Sequence, residues 1–202
     1  MTLYTQVMSR EVERQPLDLP EHRRYTHRAH RFPGKFHPPL IKKLLQDHDE
    51  HETIADPMCG SGTVGVEGVA VGKDVLCVDL DPLSCLITRG KTRPVPPSDF
   101  RAVGKRIVDC AGELSTESGF DEEVARAEIE QNLEGTPFVP PYNLFHWFEP
   151  YVAVAYSRLL HAADQVLEIE SAEMEDAVLL ALAAIVRLNS RADPQPDRKS
   201  VV

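Results

Sequence analysis

Cysteine is scarce in this 202-residue chain, and tryptophan scarcer: four Cys and one Trp. The four, Cys59, Cys77, Cys85 and Cys110, form no Cys-x-x-Cys pair, which excludes a disulfide scaffold and a cysteine-rich zinc module. No apolar run approaches the ~20 residues that a membrane helix needs. The N-terminus, MTLYTQVMSREVERQP, lacks the apolar stretch of a secretory signal, so a cytoplasmic protein with no membrane partner is expected. Internal repeats and low-complexity tracts are missing too. What remains is ordinary for a globular chain, 42% hydrophobic and 27% charged residues, enough for one domain or one and a half small ones.

Positive charge is in short supply, and it is unevenly spread. The net charge is −10, yet His22 to Lys43 holds seven Lys and Arg, four His and no Asp or Glu. Setting that segment aside leaves −17 on the rest. An acidic body with one basic, aromatic- and proline-studded segment fits a local anion site, with Arg23, Arg24, Arg28, Arg31 and Lys35 as phosphate contacts that position nucleic acid without reading its sequence. A solvated face whose arginines pair with the acidic body is the competing reading. His22, His27, His30 and His37 match no standard metal spacing, so no metal is expected.

Residues 1–21 lack periodicity and read as a loose arm. Pro38-Pro39 opens a helix running to about Asp47. A short apolar stretch, Glu52 to Ala55, runs into Asp56-Pro57-Met58-Cys59-Gly60-Ser61-Gly62. Thr63 to Val71 favours a helix ending at Gly72. Val75 to Val78 reads as a strand buried on both faces and ending at Asp79. Pro82 starts another helix, to about Lys91. Strand, glycine turn, helix, strand, helix is the opening of a parallel α/β sheet. From Ser98 to about residue 190 the pattern is helical: to about Leu114, Asp121 to about Leu133, Glu149 to Glu168 and Ser171 to about Asn189. A proline-rich loop lies at 135–143, Trp147 and Phe148 read as core, and 191–202 is a polar tail.

Gly60-Ser61-Gly62-Thr63-Val64-Gly65 matches GxGxxG between a strand and a helix, and Asp79 follows Gly60 by 19 residues, at the next strand's end. This is the dinucleotide-binding spacing. Asp56 separates the candidates. A pyrophosphate would be repelled by a carboxylate at the first strand's tip, whereas the ammonium and sulfonium of S-adenosylmethionine would be attracted. Asp79 is suited to the ribose hydroxyls in either case.

The stretch DPMCGSGTVGVEGVAVGKDVLCVDLDPLS resembles motifs I and II of amino-directed DNA methyltransferases, which modify adenine N6 or cytosine N4. The usual form, DPFxGSGTT…GxDxNP, is met with Met58 for Phe and Asp81 for Asn. Upstream, HRAHRFPGKFHPPLIKKLL is similar to motif X of the same family, and NLFHWFEPYVAVAYSRLLHAADQV and ALAAIVRLNSRADP resemble a helical segment of one branch. The resemblance covers about residues 22–194. It implies a partial Rossmann-like S-adenosylmethionine-dependent methyltransferase sheet, first strands only, in residues 22–97, followed by a helical region, 98–190. It also implies DNA as partner. The implied cofactor set is Phe36, Asp56, Pro57, Cys59, Gly60, Ser61, Gly62, Thr63, Asp79 and Asp81, with Cys59 as a small packing residue.

The family's catalytic Asp/Asn/Ser-Pro-Pro-Tyr/Phe, which accepts hydrogen bonds from the target amino group and stacks on the flipped base, has one lookalike, Val139-Pro140-Pro141-Tyr142. Valine offers no acceptor, and NLEGTPF before it is no apolar strand. The expectation is therefore the cofactor-binding part of a split or truncated enzyme, with a second polypeptide supplying the catalytic motif. An RNA guanine-N2 methyltransferase, or a catalytically inactive cofactor-binding subunit, is the alternative.

Overall fold

The computed structural model describes residues 3–7, 25–112 and 121–191. In chain order these form β1 (Leu3–Val7), α1 (Pro38–Asp47), β2 (Thr53–Asp56), α2 (Thr63–Ala70), β3 (Asp74–Asp79), α3 (Pro82–Thr92), α4 (Pro97–Ala111), α5 (Glu122–Leu133), α6 (Leu144–Trp147), α7 (Pro150–Leu167) and α8 (Ala172–Asn189). The architecture is mixed α/β, mostly helical. Two compact units divide it: residues 1–101 with 170–184, and residues 102–169 with 185–202. The boundaries therefore cut through α4 and α8; the division expected from the sequence is an arm, 1–21, a cofactor-binding part, 22–97, a helical region, 98–190, and a tail, 191–202.

In the first unit the sheet order is β1-β3-β2. β2 and β3 are parallel, joined through α2, with Asp56 opposite Cys77. β1 runs antiparallel to β3, from Leu3 opposite Asp79 to Val7 opposite Val75. Part of the expected loose arm is thus a strand. Its order comes from the ladder with β3, a pairing about 70 residues away that local pattern does not encode.

The helices cover one side of this sheet closely. Gly68 lets α2 lie on β3, since a Cβ there would come within 2.5 Å of Val75 Cγ2. Val75 and Cys77 are sealed beneath, while Leu76 between them is 37% exposed. β3 is therefore buried on one face, not both. On the other side Leu76 and Ala55, its partner on β2, are exposed.

The first half of α8 belongs here because α3 approaches it closely. A Cβ at Gly90 would meet Asp176 O at 2.8 Å and Leu180 Cβ at 2.9 Å. Asp176, itself buried, accepts from Arg89 Nε at 2.8 Å and from Arg93 Nη1 at 3.3 Å.

The second unit is built on α5 against α7. Ala125, Ile129, Leu133, Phe145, Ala153 and Val154 form its core. Asp121 caps α5 by accepting the Glu123 N–H at 2.8 Å. Arg191 donates to Phe145 O and Glu149 Oε1, so the start of the expected tail is anchored; residues 192–202 lie outside the described part. Phe148 packs against the core, but Trp147 is exposed, its ring edge-on to His146, which corrects its assignment to the core. Ile129 is sealed in this core, so Ile129→Ala is expected to cost about 2–5 kcal/mol, read as a lower midpoint in urea denaturation.

Candidate cofactor site

The parallel pairing of β2 and β3 sets two carboxylates at neighbouring strand tips, and the glycine turn stitches them together. Asp56 ends β2, and its Oδ1 accepts the Met58 N–H at 3.2 Å. The chain then bends back. Cys59 N–H donates to Val78 O at 3.0 Å, and Gly60 N–H donates to Asp79 Oδ2 at 2.8 Å. Asp79 Oδ1 takes the Asp81 N–H at 3.0 Å. Gly62 closes the turn at φ +73°, just before Thr63 opens α2. Behind the turn, Thr88 of α3 donates its hydroxyl to Cys59 Sγ at 3.4 Å.

The electrostatics favour a positive ligand. Asp56 is only 9% exposed, and its carboxyl is held above the ordinary aspartate range by burial, opposed by the Met58 N–H and reinforced by the negative charge of Asp79. Beside this pair Met58 and Leu80 stand exposed, two apolar surfaces that the chain leaves uncovered. Of the neighbouring thiols, Cys59 is buried and held below the ordinary thiol range, first by its hydrogen bond with Cys77, while Cys77 is pushed up strongly by Cys59 and by burial.

The structure gathers most of the expected cofactor residues. Asp56, Cys59, Gly60, Ser61, Gly62, Thr63 and Asp79 share the turn, with Ser61 and Thr63 buried and Pro57 on its exposed side. Asp81 is occupied otherwise. It caps α3, accepting from the backbone N–H of Leu83 and Ser84 and from Ser84 Oγ at 2.8 Å, and that hydroxyl holds its carboxyl below the usual range. Phe36 is 56% exposed, whereas Phe32 is the aromatic on the turn, its ring within 3.3 Å of where a Gly60 Cβ would stand.

Other interactions that the sequence did not signal tie the basic segment to the site. His27 Nε2 meets Glu67 Oε1 of α2 at 2.6 Å, both buried. Lys91 Nζ donates to Ser61 O at 3.0 Å, and Lys91 O accepts the Thr26 hydroxyl at 2.8 Å. Arg28 and Arg31 are exposed and pair with no carboxylate among the described residues; Lys35 donates to His27 O at 3.4 Å. Arg23 and Arg24 lie outside the described residues, as does His22. No metal-ligand cluster among the described residues includes His27, His30 or His37.

Pro140, Pro141 and Tyr142 sit in the second unit, in a loop that follows helix α5 and not a strand. Tyr142 projects into solvent. The two prolines border an apolar cavity of about 190 Å³ with Leu133, Phe138, Tyr156 and Leu160. Burial pushes the Tyr156 hydroxyl up to about 12.

No helix among the described residues is long and apolar enough to cross a membrane. Residues 27–93, which contain both carboxylates and the turn, match the RMKL-like methyltransferase domain. The type II methyltransferase M.MvaI of Kocuria varians is 40% identical over 77 residues, 36% of this chain and 17% of that protein. The type II methyltransferase M.MjaII of Methanocaldococcus jannaschii is 30% identical over 103 residues, 50% of this chain and 19% of that protein. The chain thus spans less than a fifth of either relative's length. No solved structure matches. With its methyltransferase-domain match centred on the glycine turn, the chain resembles the amino-directed methyltransferase family.

Proposed function

We propose that the turn between β2 and α2 binds S-adenosylmethionine, and that the chain is the cofactor-binding part of a DNA methyltransferase acting on adenine N6 or cytosine N4. The observation that carries this is the buried Asp56 carboxylate beside Asp79. A pyrophosphate there would add negative charge to a carboxylate already destabilised by burial and by its neighbour. An ammonium or sulfonium relieves that strain. When bound, the cofactor supplies an electrophilic methyl group.

The chain's own residues divide the work. Asp56 faces the cationic end, and Asp79 keeps lone pairs for the ribose hydroxyls while holding Gly60. Met58 and Leu80 offer apolar surface to the base, and Phe32 closes the turn from the segment side. Arg28, Arg31 and Lys35 take DNA phosphates, with Arg23 and Arg24 assigned the same role from the sequence alone. The catalytic acceptor is assigned to polypeptide outside residues 1–202, a continuation or a second chain. Pro140, Pro141 and Tyr142 receive no catalytic role.

Calorimetric titration with S-adenosylmethionine tests the site, and absence of heat overturns it. Radiolabelled methyl transfer, with and without proteins co-purified from the native host, tests the substrate. Transfer to tRNA alone selects the RNA guanine-N2 alternative, and cofactor binding without any transfer selects the inactive subunit. For the basic segment, Arg28→Ala combined with Arg31→Ala is expected to weaken duplex binding and to flatten the log–log salt dependence by about 1.8, at ~0.9 for each phosphate no longer neutralised. Fluorescence anisotropy across a salt series reads this directly.

A further inference from the structure

Lys91 is an anomaly on α3. A lysine in the last turn of a helix ordinarily reaches solvent and favours the helix C-terminus from outside. Lys91 is instead 4% exposed, and among the described residues no carboxylate pairs with it. The charged groups that act on it are basic. Burial, and then Lys35, bring its ammonium down to about 8. Lys91 in turn adds to the burial that lowers His30, whose Nδ1 is buried without a partner. Retaining a desolvated cation among other basic groups is costly, so what it holds matters.

It holds two distant pieces of chain. Its ammonium donates to the Ser61 carbonyl inside the glycine turn, and its own carbonyl accepts the Thr26 hydroxyl from the basic segment. The same segment grips α2, the helix that leaves the turn, through His27 and Glu67, and lays Phe32 against Gly60. The segment is therefore joined to the helices on either side of the turn and to the turn itself by buried interactions. Its outward-facing cations, Arg28 and Arg31, remain available to a polyanion.

We infer that Lys91 is a positioning residue that couples the basic segment to the glycine turn, so that a polyanion bound on the segment and a ligand bound in the turn alter each other's affinity. The inference rests on the proposed nucleic-acid role of the segment, and on the cofactor reading only for the turn ligand's identity. Linkage makes the effect reciprocal: whatever factor DNA applies to the turn ligand, that ligand applies to DNA.

Amide hydrogen exchange of the full chain, without cofactor, tests the connection. In Lys91→Met the aliphatic stem stays and only the donor is removed. Exchange at residues 60–63 is expected to rise about tenfold, with Lys91→Arg restoring protection. Thr26→Val, a nearly isosteric change at a residue outside the turn, is expected to raise exchange at the same amides. Duplex DNA is expected to slow them about fivefold or more in the native chain and to slow them clearly less in Lys91→Met.

Unchanged turn exchange in both variants overturns the inference. So does a turn in Lys91→Met that still responds to duplex as the native one does, or a native turn that ignores bound duplex. Duplex that fails to bind at all removes the nucleic-acid reading and this coupling with it. A native chain whose turn responds to duplex but gives no heat with S-adenosylmethionine sinks the cofactor reading and leaves the coupling standing.

Discussion

Asp56→Asn is expected to weaken S-adenosylmethionine binding about 100-fold while raising the melting temperature of the unliganded chain. The affinity loss follows from removing one partner of a desolvated charge pair, ~2.7 kcal/mol at ~1.4 kcal/mol per decade. The gain in stability has the same origin. The folded state holds Asp56 above its ordinary value, chiefly through burial. The folded protein therefore takes up a proton at Asp56 more readily than the unfolded chain does, and the ionised carboxylate works against folding at neutral pH. That penalty fades as pH falls through the raised folded value, and Asn removes it at every pH.

Differential scanning calorimetry should therefore show Asp56→Asn melting higher near neutrality, with the difference vanishing in acid. Cofactor affinity in the native chain should fall with decreasing pH, starting above the range of an ordinary aspartate, and Asp56→Asn should lack that dependence. A variant that binds as the native chain does would remove the charge-based case for the methyl donor. This is the stability–function opposition expected of a built site.

The second large effect is structural. Gly62→Ala is expected to destabilise the chain by about 2–5 kcal/mol. Two costs combine. At φ +73° an L side chain loses about 1–2 kcal/mol. The new Cβ would also stand 2.7 Å from Thr88 Oγ1 and 3.0 Å from Thr88 Cα, backbone that cannot swing away, an overpacking cost of about 1–3 kcal/mol. Gly72 provides the control. Its φ is +84°, but a Cβ there meets nothing within 4 Å, so Gly72→Ala should cost only the conformational part. Urea denaturation of the two variants separates the contributions. Equal losses would show that Thr88 yields and that the turn is not braced from behind.

The sequence exposed what is local. The glycine spacing and the apolar runs on either side marked β2, α2 and β3, and prolines marked the starts of α1 and α3. The helical pattern from Asp121 to about Leu133 marked α5. Asp56 and Asp79 were legible because strand ends carry side chains to one edge of a parallel pair. The rest depends on interactions between distant residues. β1 exists through its ladder with β3. The membership of 170–184 in the first unit follows from Gly90 meeting Leu180, and a glycine inside a helical pattern does not say which neighbour it admits. Phe32 and Phe36 belong to one stretch with similar surroundings in sequence, and only the path of the segment past Gly60 chooses between them. Lys91 entered the sequence reading only as the approximate end of a helix, because its bonds to residues 26 and 61 span distant parts of the chain.

The sheet's uncovered side has a consequence for how the chain behaves on its own. β2 carries a row of hydrogen-bonding groups on its outer edge that pair with no strand among the described residues, and β3 turns Leu76 to water. Open edges of this kind invite copies to zip together. The net charge of −10 sets mutual repulsion against that tendency. Keeping copies apart is thus an electrostatic matter for this chain, one that acid and salt both erode.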